Sequence, residues 1–328
     1  MKIAILNLLF CCGVVLIVSP TIIKFLKRIK FGQNILIYVE KHKEKSGTPT
    51  MGGVIFIFST LVGYLIFYNK NNILSTVSLL CFVFFGLLGF LDDFIKIKYK
   101  QNEGLKPYQK IIGQLGISII ISIFVYCSNL VGSEVYLPFI KKTLDLGVFI
   151  IPFVVFVYLA LVNSVNLIDG LDGLCAGVSG VVVFVMSIIL MIVSQSFTGV
   201  YLEEIKNLNI LSLGLVGGLL GFLCFNSYPA KVFMGDTGSL ALGGYIASLF
   251  VLTKNPFLIL IVGFLFVLTA LSVVIQVFVY KLTKKRVFKM APLHHHFEQN
   301  THEVKVVGFY IIVSIAIGLL TITFYLRG

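Results

Sequence analysis

Charge is what this sequence has least of. Only 12% of its 328 residues are Asp, Glu, Lys or Arg, while 58% are hydrophobic, which excludes an ordinary soluble globular protein. It belongs in a bilayer. The six cysteines (Cys11, Cys12, Cys81, Cys127, Cys175 and Cys224) lie in or beside apolar runs without CxxC spacing. That excludes a disulfide framework or a cysteine metal cluster and leaves small core residues. No small-residue cleavage site follows the first apolar run, 3–23, and Phe10 before Cys11 breaks a lipobox, so the run is expected to remain as a helix. The net charge of +12 suggests an anionic partner, yet no nucleic-acid module is visible. The basic residues flank apolar runs, as topology and anionic membrane lipid require.

What is there is length without charge. Ten runs can cross a ~30 Å hydrocarbon core: 3–23, 52–68, 73–91, 111–131, 146–165, 174–194, 208–225, 238–253, 256–280 and 304–326. Ten crossings put both termini on one side and divide the connectors into two alternating sets. Connectors 24–51, 92–110, 166–173, 226–237 and 281–305 hold 19 of the 26 basic residues. Positive charge stays in the cytosol, so these are the expected cytosolic loops, with both termini outside. The expectation is one all-α polytopic integral-membrane domain, 1–328, with its active site on the cytoplasmic face.

The cytosolic connectors carry the unusual chemistry. In "KEKSGTPTMGG" (43–53), Gly47, Pro49, Gly52 and Gly53 break helix and offer backbone N–H groups at a helix start, a ready anion site, although a plain juxtamembrane turn reads as well. In "LDDFIK", Asp92 and Asp93 project about 100° apart on a continuing helix and are expected to serve different groups; an Asp92–Lys96 pair is the modest alternative. "NSVNLIDGLDGL" (163–174) repeats a unit: Asn163 and Asn166, and Asp169 and Asp172, are each three apart, so a helical turn would align each pair. In "NSYPAKVFMGDTGS", Asp236 or Thr237 could cap the next helix, but a cap does not account for Asn226, Lys231 and Asp236 together. "PLHHHFE" places three histidines side by side, whereas zinc spacings rest on ligands three or four apart. These rings suit phosphate contacts better than structural zinc.

Five aspartates with Lys, Asn and His on one membrane face, and no hydrolase triad, are equipment for metal-assisted phosphoryl transfer on a lipid phosphate. A solute transporter would place ionisable groups near the midplane, often in inverted repeats, and the span cores hold none.

With "GTPTMGG", "LDDFIK", "NLIDGLDGL", "FMGDTGSLALGG" and "PLHHHFE" in this order, the chain resembles the polyprenyl-phosphate N-acetylhexosamine-1-phosphate transferase superfamily nearly end to end. The histidine motif points to its phospho-N-acetylmuramoyl-pentapeptide transferase branch, the translocase I family, rather than to the N-acetylglucosamine-1-phosphate transferases. Ile168 departs from a threonine expected in many relatives. The resemblance implies transfer of phospho-MurNAc-pentapeptide from UDP-MurNAc-pentapeptide to undecaprenyl phosphate, giving lipid I and UMP for peptidoglycan biosynthesis. It also implies Mg²⁺, ten helices, a polyprenyl groove, a homodimer and the bacterial cell membrane. By motif position it implies Asp236 and Asp169 at the metal, Asp92 as base with Asp93 beside it, and Asn166 near the metal-diphosphate region. Lys110 would lie near the phosphates. Lys45, Asp172, Asn226 and Phe233 would line a uridine pocket, with Asn163 on the substrate side and His294, His295 and His296 on donor groups.

Overall fold

The computed structural model describes residues 1–29, 47–67, 72–99, 104–138 and 140–326. Among them, nine helical stretches are long and apolar enough to cross a membrane. They are built on α1 (Lys2–Arg28), α3 (Ile73–Lys98), α4 (Pro107–Cys127), α5 (Ile150–Ile168), α6 (Leu174–Val193), α7 (Gly199–Asn226), α8 (Gly235–Leu252), α10 (Phe264–Thr283) and α12 (Glu303–Leu326). The remaining expected span is α2 (Gly53–Phe67), whose 15 residues cover only about 22 Å. The protein is an all-α multi-pass membrane protein.

Small residues set the packing, because helices in lipid associate by close contact rather than by expelling water. The small-residue-rich start of α8 packs along α3, α5 and α2, while α7 packs along α1, α2 and α6. A Cβ on Gly89 of α3 would collide with the carbonyl of Asp236, so its absence lets α3 lie against the start of α8. Polar side chains stitch the interior. Asn7, buried in α1, donates to the Ile210 carbonyl of α7 at 2.9 Å.

Three features depart from the sequence expectation. Helix α7 begins at Gly199 and takes in "YLEE", which reads as a connector. Its Glu204, 1% exposed, accepts the Ile73 and Leu74 backbone N–H groups at 2.9 and 2.8 Å, so a carboxylate of one helix caps α3. The expected span 256–280 is interrupted: a 3₁₀ turn (Pro256–Leu258) and the short α9 (Ile259–Val262) precede α10, with the break at Gly263. The connector between α4 and α5 forms a small antiparallel hairpin, β1 (Glu134–Leu137) with β2 (Lys142–Asp145), in register Glu134↔Asp145 to Leu137↔Lys142.

Beyond α10 the chain folds back on itself. Gln276 Oε1 accepts the Val287 and Phe288 N–H groups at 3.1 and 2.9 Å, and Ser272 Oγ accepts that of Leu293 at 3.1 Å. This return carries α11 (Leu293–Glu298), with the three histidines, back against the bundle.

Candidate active site

Helix α3 continues through both adjacent aspartates to Lys98. Their hydrogen-bond partners differ, as the angular divergence predicts, yet both carboxylates lie close enough to Asp236 of α8 to share one group. Asp93, 1% exposed, accepts the Thr237 N–H at 2.9 Å, the Thr237 hydroxyl at 2.7 Å and the Asp236 N–H at 3.3 Å. The start of α8 is therefore capped by a carboxylate from α3. Asp236 sits in the first turn of α8 instead of capping it, which frees its side chain. Gly235, at φ +74°, makes the entry, and a Cβ there would lie 2.6 Å from Asp93 Oδ2.

Asp236 gathers its neighbours. Its Oδ1 accepts Asn166 Nδ2 at 2.6 Å, and its Oδ2 accepts Lys96 Nζ at 2.7 Å and Lys110 Nζ at 3.1 Å. Asp92 accepts the Leu105 N–H on Oδ1 at 2.8 Å. Its Oδ2 lies 2.6 Å from Lys96 Nζ. The sequence-visible Asp92–Lys96 pair thus exists, but Lys96 also bridges to α8. One carboxylate oxygen from each of Asp92, Asp93 and Asp236 lies within 4.8 Å of the others, a group able to hold a metal ion.

The other sequence-chosen residues surround this group. Helix α5 ends at Ile168, so Asp169 and Asp172 are not aligned on one helical face. Asp169 is half-buried, and its carboxyl is pushed well above the usual carboxylate range by burial, then by the negative charges of Asp236, Asp93 and Asp172. It lies outside the 4.8 Å group. Asp172 is buried and accepts the Ala230 N–H at 3.0 Å, while Asn226 donates to the Val232 carbonyl at 3.0 Å. Both shape the 226–234 connector. Lys231 is exposed and Phe233 half-buried. Asn163 pairs with Gln114 of α4, donating at 2.7 Å and accepting at 3.3 Å. Asn163 and Asn166 share a face of α5, but one binds α4 and the other α8. Lys45 lies outside the described residues.

The glycine motif "TMGG" is tied to the same connector. Gly52 and Gly53 donate to the Phe233 and Met234 carbonyls at 2.8 and 2.9 Å, and Phe233 donates to the Pro49 carbonyl at 2.8 Å. The N–H groups that read as an anion site are hydrogen-bonded within the protein. The histidine motif meets the "DGLDG" turn: a Cβ on Gly170 would clash with His294 Nε2 and lie 2.7 Å from His295 Nε2. His294 is fully buried with neither ring nitrogen hydrogen-bonded. Burial first, and the neighbouring His295, push its pKa down to about 3, against a smaller upward pull from Glu298. His295 Nδ1 lies 2.8 Å from Glu298 Oε2, and His296 Nδ1 accepts the Lys289 N–H at 3.1 Å.

The sequence reading assigned no site role to Lys96, Thr237 or Gln114. Lys96 was visible four residues after Asp92, and Gln114 one helical turn after Lys110. Thr237 was visible as a candidate cap, but its partner is 144 positions away.

Helices sharing one polar end, with three carboxylates and two ammonium groups interlocked there, define a multi-pass membrane protein whose acidic group could hold a metal ion. Residues 75–254 match Glycosyl transferase family 4, and residues 45–57 match phospho-N-acetylmuramoyl-pentapeptide-transferase signature 1. The chain is 44% identical over 322 residues to the phospho-N-acetylmuramoyl-pentapeptide-transferase of Clostridium novyi (strain NT), covering 98% of this chain and 96% of that protein. It is 48% identical to that of Thermoanaerobacter sp. (strain X514), covering 92% of each. Identity to that of Clostridioides difficile (strain 630) is 43%, over 94% of each. The chain belongs to glycosyl transferase family 4 and, within it, to the phospho-N-acetylmuramoyl-pentapeptide-transferases.

Proposed function

We propose that the chain transfers phospho-N-acetylmuramoyl-pentapeptide from UDP-MurNAc-pentapeptide to undecaprenyl phosphate, yielding lipid I and UMP in the bacterial cell membrane. The observation that carries this is the convergence of Asp92, Asp93, Asp236, Lys96 and Lys110 at the ends of three helices, in a chain of this family.

In this reading Asp236 and Asp169 would hold Mg²⁺, with Asp92 and Asp93 near Asp236. Hard carboxylate oxygens suit that ion, and one oxygen from each of Asp92, Asp93 and Asp236 lies within 4.8 Å of the others. Bound there, Mg²⁺ would neutralise charge on the donor diphosphate. The chain's own residues do the rest. Lys110 steadies phosphate charge, Asn166 aims Asp236, and Asp93 fixes the helix start that carries it. Asp92 takes the proton of the lipid phosphate. A lipid phosphate oxygen then forms a bond to the donor phosphorus nearest the sugar as the bond to UMP breaks. One phosphoanhydride replaces another, so the reaction lies near equilibrium, and no protein nucleophile is needed. Asp172 and Asn226 shape a uridine pocket in which Phe233 offers a ring face, with Lys45 and Asn163 on the substrate side. His294, His295 and His296 border the donor beside Gly170. The same reading puts both termini outside, the site in the cytosol, one domain over 1–328, and two copies in a homodimer, which native mass spectrometry would count.

Purified protein should incorporate labelled UMP into UDP-MurNAc-pentapeptide from lipid I only when Mg²⁺ is present. Asp236→Asn should abolish turnover with thermal unfolding unchanged. Equal use of UDP-N-acetylglucosamine as donor would overturn the substrate assignment, and full activity of Asp236→Asn would overturn the metal assignment.

A further inference from the structure

We propose that Lys96 is the resident counter-ion of this metal site: its ammonium group sits between Asp92 and Asp236 where a divalent cation would bind, leaves when the cation arrives, and then meets substrate phosphate. The inference rests on the reading of the acidic group as a metal site.

The distances carry it. Lys96 Nζ is 2.6 Å from Asp92 Oδ2, 2.7 Å from Asp236 Oδ2 and 3.8 Å from Asp93 Oδ1. These are the three carboxylates able to close on a metal, so a metal drawing on Asp236 Oδ2 competes with the ammonium group for that atom. The contact with Asp92 Oδ2 is a close charge contact at 2.6 Å. An ammonium holds such an oxygen less well than a hard divalent cation does.

The rest of the group is arranged to survive the exchange. Asp236 Oδ1 is held by Asn166 and its Oδ2 also by Lys110, while Asp93 is engaged by the start of α8. Among the described residues, Lys96 alone spans Asp92 and Asp236, on a flexible four-carbon stem able to swing. Three carboxylates against two ammonium groups leave the group negative, and a divalent cation in place of Lys96 neutralises it. The face then attracts a diphosphate with Lys96 released at its edge.

The test titrates Mn²⁺ into full-length protein in detergent, without nucleotide or lipid, and reads free Mn²⁺ by electron paramagnetic resonance. Asp236→Ala should weaken binding and Lys96→Met should tighten it, each by about tenfold or more, since close unit charges interact by more than the energy of one decade. Unchanged binding in Asp236→Ala removes the metal site itself, and the inference with it. Weakened binding in Asp236→Ala alongside unchanged or weaker binding in Lys96→Met overturns the inference alone. Should Lys96→Met not fold, acetylation of Lys96 in the wild-type protein, followed by mass spectrometry, decides: Mn²⁺ should raise its reactivity, and an unchanged or lower rate overturns the exchange.

Discussion

At the scale of residues, the site depends on side chains that orient other side chains. Asn166 binds Asp236 Oδ1 and also donates to Ser239 Oγ at 2.8 Å, so it aims the carboxylate along α8. Asn166→Ala should lower kcat by about 10- to 100-fold, the usual effect of removing an outer support of a metal ligand, with thermal unfolding little changed. His294 gives a second expectation. Its folded pKa of about 3 lies below the ~6.5 of a free imidazole, so below the latter the unfolded chain takes a proton that the folded one refuses. His294's own contribution to stability should fall by about 1.4 kcal/mol per pH unit as pH drops through that window and stay flat above it. His294→Gln should flatten the acid limb of detergent unfolding curves. The aspartates were legible in the sequence because carboxylates beside glycines stand out in an apolar chain. Lys96 and Thr237 were not, since their importance comes from partners on another helix.

At the scale of elements, helix ends are capped in trans. Asp93 of α3 caps α8, and Glu204 of α7 caps α3 with both carboxylate oxygens. Such caps join helices that lipid alone would not hold together. Glu204→Ala leaves the buried Leu74 N–H and the part-buried Ile73 N–H without acceptors and should cost about 1–3 kcal/mol for the buried one, read as a lower unfolding midpoint. Glu204→Gln should recover part of it. Hydropathy located the spans because each is a charge-free run. It stopped α7 nine residues late, at 208, because the polar "YLEE" counts as connector until its glutamate is seen to face inward. The Gly263 break escaped as well, since the residues on both sides are equally apolar.

At the scale of the whole molecule, the asymmetry of basic residues predicts which face meets the cytosol. In a cysteine-free background, Lys142→Cys in the hairpin should react with a membrane-impermeant maleimide on intact spheroplasts. Lys285→Cys, after α10, should react only once the membrane is permeabilised, and the reverse pattern would invert the topology. The five polar motifs, spread over some 250 residues of chain, meet because α3, α5 and α8 end together and the chain after α10 returns. Their order was legible, but their stitching was not, since it runs through backbone atoms. That stitching has a consequence for recognition. The amides of Gly52 and Gly53 before α2, and those of Asp236 and Thr237 in α8, all have acceptors within the protein. An incoming diphosphate therefore meets ammonium groups on long stems rather than those backbone amides. Its capture becomes a matter of ionic strength: added salt should raise KM for the donor far more than it lowers kcat.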